Sequence, residues 1–153
     1  MQNEYAENII DSTMKDQYLT FYIDGDVYGL EIEYVKEIMK MVAIAPVPDM
    51  PNFVEGIFSL RGELIGLLDI RKRFNKPPKE YDEETCVIVV IYGEFTLGLI
   101  ADAVEETATI PENKIAPPPN VKLSYANQFI RNVGQVGNNI KLLLDLDSFL
   151  AYD

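Results

Sequence analysis

At 153 residues, with 48% apolar and 25% charged residues, the chain has the size and composition of one ordinary globular domain or two very small ones sharing an interface. A formal net charge of −12 excludes a basic face for nucleic acid or acidic lipid, and no apolar run reaches the length of a membrane span. No histidine occurs, which removes the commonest general base and zinc ligand and every histidine-activated nucleophile.

Residues 1–16 form a polar tail before the folded part, with a weak apolar spacing at Tyr5, Ile9 and Ile10 that allows a short peripheral helix. They lack the basic start and apolar centre of a secretory signal, so a cytoplasmic location is expected. From Gln17 the pattern alternates. Leu19, Phe21 and Ile23 share one face and Tyr18, Thr20 and Tyr22 the other, which predicts a half-buried strand, a turn at Asp24-Gly25 and a return strand over 27–32. Ile32, Val35, Ile38 and Met39 then fall at helical spacing, predicting one short helix before a strand over 41–45. Pro46, Pro48 and Pro51 end that strand.

Ile57, Phe58 and Leu60, followed by Leu64, Ile65, Leu67 and Leu68, predict a β-hairpin turned by Arg61-Gly62, where Asn-Gly would be ordinary. Gly62 supplies positive φ, and Arg61 is held at the tip as an accessible cation. Asp69 is placed to cap a short helical turn running through Phe74. Residues 75–84 are proline-containing, charged and poor in anything to bury, and read as a linker. Cys86 lies in an apolar strand and cannot form an internal disulfide, as fits a reducing compartment.

Beyond the linker the pattern restarts. A shift of 69 places Gly29-Leu30 on Gly98-Leu99, Val35 on Val104 and Glu37 on Glu106; a shift of 76 places Leu67-Leu68-Asp69 on Leu143-Leu144-Asp145. A second hairpin is expected from 130–136 and 140–144, then a helical turn over 148–150, with Pro117-Pro118-Pro119 in a long loop before it. The expected fold is therefore all-β with short helices, in two β-barrel subdomains of about five strands, near 17–82 and 83–145, with terminal elements crossing between them.

Little here carries catalysis. No Gly-rich phosphate loop follows any strand, Asp24, Asp26 and residues 82–84 read as turn or linker acids, and Asp102, Glu105 and Glu106 read as flanking a short helix. A carboxylate-based hydrolase or a metal-dependent enzyme on a small barrel stays open, and would need two acids converging in a buried cleft. No catalytic residue, metal, nucleotide or other cofactor is expected. The remaining reading is a protein–protein adaptor.

The run G-I-F-S-L-R-G at 56–62 with L-L-D-I-R-K-R-F at 67–74 resembles the G-V-x-N-L-R-G-x-x-x-P-V-x-D-L-R signature of the CheW family, the coupling proteins of bacterial chemotaxis. Q-Y-L-T-F-Y-I-D-G-D-V-Y-G-L-E-I-E-Y-V-K-E-I at 17–38 is similar to that family's opening, and the likeness continues more weakly to about Leu150. Ser59 stands for the usual Asn and Gly66-Leu67 for the usual Pro-Val, leaving Arg61, Gly62 and Asp69 in place. The resemblance implies two SH3-like five-stranded barrels sharing a hydrophobic core, and a non-catalytic adaptor joining chemoreceptor cytoplasmic tips to the regulatory domain of the histidine kinase CheA. It implies a receptor groove lined by Val35, Glu37, Arg61, Leu99 and Val104, and a kinase contact through Met41, Val42, Ile44 and the loop at Pro46. The start at Met1 and the lack of a receiver-type acidic pocket make a stand-alone adaptor the expectation, reaching receptor arrays through its partners without direct membrane contact.

Overall fold

The computed structural model describes residues 14–118 and 125–151; expectations for residues 1–13 and for the proline loop past Pro118 lie outside the described residues. Strands β1 (Gln17–Ile23) and β2 (Asp26–Glu31) form a hairpin, and a 3-10 turn (Ile32–Tyr34) leads to β3 (Val35–Lys40). β4 (Val54–Leu60) and β5 (Glu63–Asp69) form the second hairpin, capped by helix α1 (Ile70–Arg73). The series repeats as β6 (Cys86–Tyr92), β7 (Phe95–Ala101), β8 (Ala103–Thr109), a short β9 (Ile115–Ala116), β10 (Ile130–Val136), β11 (Asn139–Leu144) and helix α2 (Leu146–Leu150).

Three local expectations are corrected. The helical spacing over 32–39 yields only the 3-10 turn, because β3 pairs with β6 and its exposure alternates residue by residue, so that Ile38 faces outward. Residues 41–45 form no strand; a single bridge, Ala45 to Ile57, is what remains. The acids Glu105 and Glu106 lie in β8 and not beside a helix, held by pairing with β1.

Among the described residues eleven strands sort into two sheets, one ordered β8-β1-β2-β11-β10-β9 and the other β3-β6-β7-β5-β4. Neither sheet follows the halves of the sequence. The hairpin β1–β2 is inserted between β8 and β11, and β6–β7 between β3 and β5, so each hairpin completes the sheet of the other repeat. The repeat is carried down to single contacts. Leu143 pairs with Gly29 and Leu67 with Gly98 across the two parallel strand pairs, and a Cβ on either glycine would sit 2.8 Å from that leucine. Asp69 N–H donates to Phe53 O and Asp145 N–H to Phe129 O, both at 2.7 Å, and each aspartate caps its helix, from Lys72 N–H and Asp147 N–H.

One core runs through both sheets. Leu19, Phe21, Tyr28 and Leu30 from β1–β2 pack with Leu68, Ile88, Val90 and Leu99 from the other sheet and with Phe129 and Phe149 near the C-terminus. Phe74, 1% exposed, closes it: its ring stacks on Phe129 and meets Tyr28 and Phe149 within 6 Å. Arg73 is buried beside it, with Phe53 and Phe129 on its guanidinium at 4.7 and 4.5 Å, and its donors satisfy the carbonyls of Ser148, Phe149 and Ala151 at the end of α2.

Candidate functional site

The β4–β5 turn is made by Arg61 at φ +50° and Gly62 at φ +84°, both left-handed as a two-residue type I′ turn requires. Gly62 takes this conformation freely, whereas Arg61 takes it against its Cβ. The arginine stays because its head group is held. Nη1 donates to Glu37 Oε2 at 2.6 Å and Nη2 to Oε1 at 3.1 Å, a two-pronged pair that leaves the arginine side chain 69% exposed. The hydrogen bond from Arg61 lowers the Glu37 carboxyl from its ordinary value.

This contact also reports how the sheet bends. β3 and β4 are its opposite edges, yet the tip of β4–β5 reaches β3, and the chain just after β3 bridges to β4 through Ala45 and Ile57, with paired N–H···O bonds of 2.9 Å. Between those edges lie Met41, Val42 and Ile44, half-buried against Phe58, Leu60, Ile65, Leu67, Val87 and Val89. Pro46, Val47 and Met50 follow as an exposed loop. Met41, Val42 and Ile44 thus show part of their apolar surface around a fixed anchor, and Pro46 stands free.

The groove residues divide. Val35 on β3 and Val104 on β8 are half-buried and pack against the central core, each on an edge strand of a different sheet. Leu99 is 0% exposed and offers no surface to a partner; it pairs with Ile88 and Leu68 in the middle of its sheet. Its repeat mate Leu30, 1% exposed, has the same place, so the glycine–leucine pair marks packing. Glu106, the repeat mate of Glu37, faces Lys141 at 3.7 Å instead of an arginine.

Buried charge is where the sequence reading fell short. Lys141, 2% exposed, donates to Glu105 Oε1 at 2.8 Å, and the same carboxylate accepts from Thr20 at 2.7 Å and Tyr22 at 3.2 Å. The signal was present: Lys141 shares a strand face with Leu143, where alternation calls for an apolar residue. Arg71 is also buried, joined to Asp102 at 2.7 Å, Asp24 at 3.2 Å and the Pro77 carbonyl at 2.9 Å.

Asp69, 4% exposed, is a buried acid that its capping role conceals. Burial pushes its carboxyl up, opposed by the hydrogen bonds from Tyr81 and from Lys72 N–H, while neighbouring Glu55 adds to the rise. Both its oxygens are engaged, Oδ2 by Tyr81 at 2.7 Å and Oδ1 by Lys72 N–H at 3.3 Å, and Glu55 is paired with Lys72 Nζ at 2.6 Å. Both acids are thus tied to neighbours within the fold. Among the described residues no group of three or more acids, cysteines or histidines is arranged to hold a metal, and no helix is long and apolar enough to cross a membrane.

The double-sheet domain thus presents an exposed arginine pinned at a hairpin tip, a group suited to recognition. Residues 17–153 match the family described as the CheW-like domain, and the chain belongs to that family. It is 27% identical over 139 residues to the chemotaxis protein CheW of Klebsiella aerogenes, covering 91% of this chain and 84% of that one. It is 31% identical over 139 residues to the chemotaxis protein CheW of Treponema pallidum, covering 88% and 82%. The crystal structure of the scaffolding protein TtCheW from Thermoanaerobacter tengcongensis superposes with a TM-score of 0.83 at 31% identity, over 90% of this chain and 94% of that one.

Proposed function

We propose that this chain is a non-catalytic chemotaxis adaptor that couples the cytoplasmic tip of a chemoreceptor to the regulatory domain of the histidine kinase CheA. It works in the cytoplasm and meets the membrane only through the receptor. Membership of the CheW-like family supports the chemotaxis role, and the observation that carries the surface assignment is the Arg61–Glu37 pair. A guanidinium is kept exposed on a left-handed residue where asparagine would be relaxed, so the position favours recognition over local stability. Val35 and Val104 supply apolar contacts near the receptor surface and Glu37 and Arg61 its polar part; Met41, Val42, Ile44 and Pro46 supply the kinase contact.

Arg61→Asn separates the two roles. Because asparagine accepts left-handed φ, the variant is expected to unfold at no lower denaturant concentration than the parent. Binding of the purified receptor tip should fall by about tenfold or more, the loss of one charge-assisted contact. Arg61→Lys should recover only part of the affinity, since an ammonium lacks the planar fork. Parent-like tip binding by Arg61→Asn would overturn the assignment.

A further inference from the structure

We propose that residues 75–84 are a hinge through which two copies of this chain exchange halves, forming a reciprocal dimer of two complete double-sheet units. The partner is a second copy, and the argument is topological. Cut at the hinge, the first half keeps only the strand pairs β1–β2 and β4–β5, and the second keeps β6–β7 and β10 with β9 and β11. Among the described residues β3 and β8 then have no strand partner, since there β3 pairs with β6 and β8 with β1.

The core divides in the same way: Phe74 and Arg73 come from the first half, and Phe129, Phe149 and the α2 carbonyls they meet come from the second. Neither half can bury its apolar face alone, and each is an exact fit for the other half of any copy. A chain whose halves open therefore has one partner built to close it, another opened chain.

The distal end of the hinge folds on itself, with Asp82 bonded to Thr85, Glu84 and Lys79, and further bonds hold the hinge to the first half. Lys76 N–H bonds to Arg71 O at 2.8 Å, Arg71 Nε to Pro77 O at 2.9 Å, and Tyr81 Oη to Asp69 Oδ2 at 2.7 Å. Pro77-Pro78 favours an extended path, and most of residues 77–84 is exposed. The Tyr81–Asp69 contact is the bond that turns the distal end of the hinge back onto its own half, so it favours the closed single chain.

Two altered chains test the exchange. In the first, a protease site after Lys79 lets the folded chain be cut once; the two pieces are expected to stay together at the 17.3 kDa size and melt as one unit, and separation on cutting would overturn the proposal. In the second, deletion of residues 77–81 shortens the hinge and removes its latch. The variant is expected to run at twice the mass of its own shortened chain, to keep that size on dilution, and to come apart only when it unfolds. A folded monomer, a dimer that dissociates on dilution with its fold intact, or a chain that no longer folds would each overturn it. Tyr81→Phe, refolded at high concentration, should trap a larger dimer fraction than the parent, and an unchanged fraction would contradict the latch.

Discussion

Lys141→Ala is expected to destabilise the protein by roughly 3 kcal/mol, the lower part of the range for removing one partner of a buried ion pair. The lysine is 2% exposed, but the Glu105 side chain is 21% exposed, so the orphaned carboxylate recovers some hydration. What is lost is a tie across the sheet, from β11 to the edge strand β8, passing Thr20 of β1. The pH dependence gives an independent reading. Burial alone would raise the Glu105 carboxyl, but hydrogen bonds from Lys141, Thr20 and Tyr22 outweigh it and hold the group below its ordinary 4.5. A depressed carboxyl stabilises the fold above its unfolded value and loses that contribution as pH falls through the folded one. The parent should therefore lose stability below about pH 4.5, and Lys141→Met should show a shallower loss over that window in chemical denaturation.

Gly56→Ala is expected to cost at least about 2 kcal/mol and to act on one partner selectively. Gly56 has φ +149°, and a Cβ there would lie 2.2 Å from the Ala45 carbonyl oxygen, a backbone atom that cannot step aside without breaking the Ala45–Ile57 bridge. That bridge fixes the end of the segment carrying Met41, Val42 and Ile44. Under the proposed assignment, kinase-domain binding should fall in proportion to the freed loop, while the Arg61–Glu37 pair at the far end of the hairpin, proposed for the receptor tip, is retained. Calorimetric titration of both partners against the folded variant at low temperature checks this; equal loss for both would show that the loop is not a separate surface.

Much of the fold was legible because its signals are local and repeated. Alternation at 17–23, the turn at Arg61-Gly62, the cap at Asp69 and the 69- and 76-residue shifts each depend on neighbours in sequence. The misreadings share a cause. Ile32, Val35, Ile38 and Met39 satisfy a helical period, whereas only Val35 and Met39 share a strand face, and pairing with β6 of the second repeat decided between them. Leu99 reads the same whether it faces a partner or a core, because both select a large aliphatic residue. Lys141 is met by Glu105 of β8, 36 residues away, and no local pattern records that its charge is met.

The measurement that tests adaptor function most directly is a three-component sedimentation experiment with purified chain, receptor tip and kinase regulatory domain. A coupling protein with two separate surfaces carries the kinase domain into the receptor fraction only when the chain is present, and Arg61→Asn releases the receptor while leaving the chain–kinase complex intact. Competition of the two partners for one surface, or kinase domain sedimenting equally with and without the chain, would contradict the account.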